Sequence, residues 1–237
     1  GSEMCIRDRS VTINQQAGTH AGGMTHSAKE LAALMVPGWN LGNTLEAGDA
    51  ANNFTNQGGL SSETAWQATK TTQKVIDEVK KQGFKSVRLP ISWVMGHLTD
   101  KAKMSIDEAW MARVKEVVNY CLADGLYVII NDHWDGGWLE VDGFSRSRDN
   151  FQVVDEATIT EKTKQLKALW TNIAQAFKDY DEHVVFAGLN EPFQEYKLFN
   201  GHHQELTPIL QRYNQAFVDA VRATGGNNAS RVLVVQG

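Results

Sequence analysis

The stretch Val184-Val185-Phe186-Ala187-Gly188-Leu189-Asn190-Glu191-Pro192 decides how this chain is read. It begins as a short, unbroken apolar run, the pattern of a strand covered on both faces in a parallel sheet. Pro192 has no N–H to give to a sheet ladder, so the strand ends before it and Glu191 falls at its C-terminal tip. In a (β/α) barrel that tip is where functional side chains project. A carboxyl group beside a carboxamide at such a place is equipped for proton transfer and hydrogen bonding.

The same strand–loop–helix order repeats on either side. Ser27-Ala28-Lys29-Glu30 is a capping box that opens a short helix through Met35. Gly38 to Gly42 reads as a first strand, and the Gly- and Asn-rich segment from Gly48 to Ser62 as a loop. Ala65, Trp66, Val75, Ile76 and Val79, with an exit at Gly83, predict a helix over 64–82. Phe84 to Leu89 is a second strand stopped by Pro90, followed by a helix from Asp107 to Ala123. Leu126 to Ile130 is a third strand, with a Gly-rich loop running to about Asn150. A helix over 160–180, the quoted strand, a helix opened by Thr207-Pro208 and a fifth strand over 231–235 complete the pattern. Strands alternating with helices imply a parallel sheet with helices outside. Two closures fit, a doubly wound sheet and a barrel. No Gly-x-Gly-x-x-Gly follows the first strand, which removes support for a dinucleotide-binding fold.

Composition bounds the function. The 237 residues suit one domain, and a hydrophobic content of 42% suffices for a core. A net charge of −5 argues against a nucleic-acid partner and lends nothing to binding an anionic membrane surface. No apolar run approaches the ~18 residues of a spanning helix. Two cysteines, Cys5 in a tail and Cys121 in a helical pattern, do not make a disulfide framework. Residues 1–23 read as a tag and loose lead-in without a signal-peptide pattern, and 24–237 as one domain.

Each strand end carries a functional group. The first offers Asn43 and Glu46, and the second offers Arg88 within Val87-Arg88-Leu89-Pro90-Ile91-Ser92-Trp93. The third offers Asn131, Asp132, His133 and Trp134, then Trp138, and the fourth offers Asn190 and Glu191. This combination resembles glycoside hydrolase family 5, the cellulase-like (β/α)8 enzymes, from about Pro37 to Gly237. The resemblance rests on Gly38-Trp39-Asn40-Leu41-Gly42-Asn43-Thr44, the strand-two Arg88-x-Pro90, His133 and Asn190-Glu191-Pro192. It implies a retaining endo-β-1,4-glucanase, with β-mannan and xyloglucan as alternative substrates. Glu191 would be the general acid/base, Asn190 would hold the sugar 2-hydroxyl, Arg88 would support the nucleophile and His133 would line the cleavage subsite. Many members carry two adjacent histidines where this chain has His133-Trp134, which leaves fine specificity open. The resemblance implies neither a metal nor an organic cofactor, and a secreted protein.

The chemistry agrees with those roles. A general acid needs a raised pKa, and a retaining pair of carboxyls sits only ~5 Å apart. Asn190 can tighten its bond to a 2-hydroxyl in the transition state, and Arg88 can keep a partner carboxylate ionised. Trp134, Trp138 and Trp93 are candidates to face sugar rings, with packing as the competing role. Asn43 and Glu46 are candidate substrate contacts, although Glu46 and Asp132 also admit supporting or solvated roles. For His133 the competing, lesser role is that of a satisfied core histidine. Trp39, Trp66, Trp110 and Trp170 are expected in the core, and His202-His203 lacks metal-ligand spacing.

The resemblance also implies eight strands and a nucleophilic Glu after strand seven, whereas about five strands are legible. The expectation is therefore a barrel interrupted after strand five and a second carboxylate outside these residues. A further expectation is self-association through exposed sheet edges. A catalytically incomplete fragment that only binds β-glucan is the alternative.

Overall fold

The computed structural model describes residues 23–48, 59–141, 155–193 and 203–236. The expected lead-in, most of the 48–62 loop, the end of the Gly-rich loop near Asn150, and His202 lie outside the described residues. In chain order the elements are α1 (Ala28–Leu34), β1 (Gly38–Asn40), α2 (Gln73–Lys81) and β2 (Ser86–Leu89), then β3 (Leu98–Asp100) and β4 (Ser105–Ile106). There follow α3 (Glu108–Ala123), β5 (Tyr127–Asn131), α4 (Glu156–Ala176), β6 (Val184–Ala187), α5 (His203–Ala223) and β7 (Leu233–Val234).

β1, β2, β5, β6 and β7 form one sheet in that spatial order, with every neighbouring pair parallel. The order never reverses, so there is no switch point of the kind that defines a doubly wound sheet. The strands advance one after another, as in a (β/α) barrel, and the barrel reading stands.

Register explains the two faces. Val87, Val128 and Val184 are aligned across β2, β5 and β6, as are Leu89, Ile130 and Phe186 one pleat further. All six are fully buried in the main core with Val114, Val117, Leu169 and Phe217 from the helices. The alternate register row carries Asn40, Arg88, Ile129 and Val185, so the opposite face presents polar groups. Gly188, just past β6, is required by packing: a Cβ there would lie 2.5 Å from Phe217 of α5. Its carbonyl accepts the indole N–H of the buried Trp170 at 2.9 Å.

Some local expectations are corrected. Helix α2 is shorter than the predicted 64–82, because Glu63 accepts the Thr71 N–H at 2.9 Å and Arg113 grips Glu63 and the Thr71 carbonyl. These bonds close residues 63–71 into a loop after a 3₁₀ turn (Gly59–Thr64), and Trp66 is exposed rather than in the core. The β3–β4 hairpin was not anticipated; Asp100 Oδ1 accepts the N–H groups of Ala102 and Lys103, which forms its turn. Helix α4 starts at Glu156, capped by Asp155, and α5 starts ahead of Pro208, which lies inside it. Trp110 and Trp170 are core residues, and Trp39 packs partly buried against the core. Cys121 is buried and free.

Candidate active site

The polar residues gather where β1, β2, β5 and β6 end. Arg88 projects from β2 and donates to Asn40 Oδ1 on β1 at 2.8 Å and, through its other terminal nitrogen, to Asn190 Oδ1 after β6. With its oxygen committed to Arg88, the Asn190 carboxamide has its N–H₂ group left to donate elsewhere. Among the described residues Arg88 reaches no carboxylate by hydrogen bond; burial lowers its pKa, while the charges of Glu46 and Glu191 act to raise it. Asn40, not singled out as a site residue from sequence, is thus a member of the cluster. The signal was its place at the end of the first strand, where it pairs in register with Arg88.

His133 follows β5. Asn131 Oδ1 accepts the Ile91 N–H at 3.2 Å, which turns its N–H₂ toward His133 Nδ1 at 3.4 Å. A donor facing Nδ1 makes that nitrogen the acceptor, so the neutral ring carries its proton on Nε2. Burial, reinforced by the Arg88 charge, pushes the His133 pKa down to about 4. His133 therefore acts as a neutral hydrogen-bonding group.

Glu191 is exposed at the end of β6 and adopts φ 47°, and Phe193 adopts φ 62°. The left-handed conformation costs non-glycine residues roughly 1–2 kcal/mol each, so the turn needs external support. Phe193 is fully buried and packs on Tyr213 of α5, with ring centroids 6.0 Å apart. Its N–H donates to Glu140 Oε1 at 3.0 Å. A pocket of about 20 Å³, room for one water, is lined by Asp132, His133, Trp134, Trp138, Glu140 and Asn190 among others.

Beneath it lies a pair of buried acids. Asp135 accepts the N–H groups of Trp93, Val94 and Met95 at 2.8, 2.6 and 2.7 Å. Asp132 Oδ2 accepts the Trp138 indole N–H at 3.2 Å. Burial, and then the Asp135 charge, pushes the Asp132 carboxyl well above the usual carboxylate range. Three N–H donors make Asp135 the ionised member, and Asp132 keeps the proton. The sequence reading left Asp132 between a supporting and a solvated role and did not foresee the three backbone N–H groups that Asp135 accepts.

Other predicted residues are placed differently. Trp93 is fully buried, and its indole N–H donates to the Asn131 carbonyl at 2.8 Å, so it has no face to offer a sugar. Glu46 is buried and folds back to accept the N–H groups of Asn43 and Thr44 at 2.6 and 3.0 Å. Those bonds support the loop and leave Glu46 no free oxygen to present to solvent. Asn43 is exposed at φ 60°. Trp134 is 41% exposed and Trp138 is half-buried beside the pocket. Among the described residues no cluster of three or more His, Cys, Asp or Glu is placed to hold a metal ion, and no helix is long and apolar enough to cross a membrane.

A singly wound parallel sheet that delivers a carboxyl, two carboxamides, an arginine and a neutral histidine to its C-terminal edge defines the catalytic face of a (β/α)-barrel enzyme. The cellulase model of glycosyl hydrolase family 5 matches residues 48–237, and the chain belongs to that family. A family 5 xyloglucan-specific β-1,4-glucanase from a ruminal metagenomic library, solved in complex with XXLG, is 65% identical. It superposes with a TM-score of 0.79 over 90% of this chain and 52% of its own. A broad-specificity endoglucanase from Ruminococcus champanellensis, solved with cellotriose, is 40% identical with a TM-score of 0.77, over 90% of this chain and 57% of its own. Endoglucanase A of Clostridium longisporum is 42% identical over 88% of this chain and 38% of its own length. The chain thus spans about half the length, or less, of these relatives.

Proposed function

We propose that this chain forms the acid/base half of a retaining, secreted endo-β-1,4-glucanase whose substrate is xyloglucan. Glu191 protonates the leaving oxygen and later activates water, Asn190 donates to the 2-hydroxyl, and neutral His133 donates from Nε2 into the same subsite. The observation that carries the reading is the Arg88 clamp, which fixes the donor end of Asn190 beside Glu191. The described carboxylates near the site are otherwise engaged: Glu46 by its own loop, Asp132 and Asp135 with each other, and Glu140 by Phe193. On this reading the nucleophile is a carboxylate outside the described residues. The choice of xyloglucan rests on the 65% identity to the xyloglucan-specific enzyme, against 40% to the broad-specificity one. Secretion follows from a polymeric substrate that does not enter cells.

The test is reducing-sugar release from xyloglucan, barley β-glucan and carboxymethyl cellulose by the protein carrying both carboxylates and by its Glu191→Gln variant. Release that is greatest on xyloglucan and lost in the variant is expected. Equal, negligible release from both, with xyloglucan still bound, would replace catalysis by binding alone.

A further inference from the structure

Glu140 lies nine residues beyond the end of β5 and has no role in the chemistry above. Its carboxylate nevertheless reaches across to the loop after β6 and accepts the Phe193 N–H at 3.0 Å. We propose that Glu140 is a positioning residue for the acid/base: it locks the Glu191–Phe193 turn so that the Glu191 carboxyl is aimed into the cleft. The inference rests on the reading of Glu191 as the acid/base.

Among the described residues the turn has few other holds. Its two flanking residues are both left-handed, at φ 47° and 62°, and the residue between them is Pro192, which has no N–H. The Phe193 N–H is therefore the handle by which the turn is gripped from the β5 side. Glu140 is itself fixed. Gly136 and Gly137, at φ 74° and 68°, swing the chain round after β5. The Glu140 N–H then bonds the Gly137 carbonyl at 3.0 Å. Lys162 of α4 donates to the Trp138 carbonyl, and Tyr213 of α5 donates to the Leu139 carbonyl at 3.3 Å. The Tyr213 ring packs in turn on Phe193. Glu140, Phe193, Tyr213 and Leu139 thus close a circuit of contacts around the acid's turn, and the Glu140 carboxylate is the link that joins its two loops. A carboxylate that merely satisfied a buried N–H would matter to stability alone; a clamp on the acid matters to turnover.

The variants are Glu140→Ala, Glu140→Asp and Glu140→Gln in the full chain, read by hydrogen exchange at the Phe193 amide and by kinetics on xyloglucan. Gln keeps an acceptor oxygen at the same reach, whereas Asp is one methylene short and Ala has none. Exchange at Phe193 is expected to quicken about tenfold or more in Ala and Asp, with the core amides unchanged, and to stay near the parent rate in Gln. Turnover is expected to fall about 10- to 100-fold in Ala and Asp at a KM within about twofold, with Gln restoring most of it. Unchanged Phe193 exchange in Ala, Gln as impaired as Ala, or losses confined to melting temperature each overturn the proposal. Glu191→Gln run alongside separates the two ideas. A parent no better than that variant refutes the acid/base reading, and Phe193 exchange then decides by itself whether Glu140 holds the turn.

Discussion

At the scale of single residues, Asp135 accepts three backbone N–H groups while Asp132 beside it keeps a proton, and this has a pH signature. An unfolded Asp releases its proton near pH 3.9. The folded chain holds the Asp132 proton to a higher pH, so stability is lost progressively from about pH 3.9 upward to the raised value. Asp132→Asn keeps a donor for Asp135 and an acceptor for Trp138 but cannot ionise. It is expected to melt above the parent at pH 8 and with the parent at pH 4. Asp135→Asn strands backbone N–H groups and is expected to cost about 3 kcal/mol; thermal denaturation of both variants at the two pH values checks the pair. His97 acts at the acid end. It is fully buried, stacks on Trp110 at 3.8 Å, and burial lowers its pKa to about 4. Between pH 6.5 and 4 the unfolded chain takes up a proton that folded His97 refuses, so stability falls by up to about 3 kcal/mol across that window. His97→Phe keeps the stacking ring without the titration, and its urea midpoint should fall less steeply from pH 7 to 4.5. Glu191, Asn190, Arg88 and His133 were legible because chemistry at strand ends is written in residue type. Asp135 and Glu140 were not, because what they do is accept N–H groups from residues about 40 and 53 positions away, and no local pattern records that.

At the scale of elements, Arg231 shows how a strand is tied to its neighbours. It is fully buried and donates to the carbonyls of Phe177, Tyr180, Asp181 and Val184 and to Asn228 Oδ1, with its guanidinium 4.8 Å from the Phe186 ring. No carboxylate is among these partners; the carbonyls just past α4 and at the start of β6 take its charge. Arg231→Lys replaces a planar fork by a single ammonium and leaves several of those carbonyls bare. A loss of about 3 kcal/mol is expected from chemical denaturation, and a loss under about 1 kcal/mol would show that Lys or water can substitute. The sequence announced a strand starting at Arg231, whereas β7 begins two residues later at Leu233, and it did not announce the residue's role. Strands and long helices were legible because each repeats its own period over several residues. The 63–71 loop was misread as helix because its apolar spacing is helical, while the Glu63–Arg113 bond that opens it spans 50 positions. The β3–β4 hairpin was missed because two short strands leave too few residues to show alternation.

At the scale of the whole molecule, strand order did what pattern could not: it separated a barrel from a doubly wound sheet, two closures with the same alternation of strands and helices. The sheet has β1 and β7 as its outer members, and the described helices pack on the face that carries Val87, Val128 and Val184. Val36, just before β1, is 66% exposed, and Val234 and Val235 at β7 are 41% and 48% exposed. Such an edge offers unpaired N–H and C=O groups next to apolar side chains, which is a template for another strand. The 26.3 kDa chain as it stands is therefore expected to self-associate with rising concentration. Val234→Lys combined with Val235→Lys sets charge on the β7 edge, a device by which natural edges resist pairing, and should shift the population toward monomer. Sedimentation velocity over a concentration series reads both effects. If the contact runs through β7, the double variant sediments as monomer at concentrations where the parent does not, and its circular dichroism is unchanged. A parent that is monomeric throughout would show that the edge is shielded, and equal association of parent and variant would move the contact to β1.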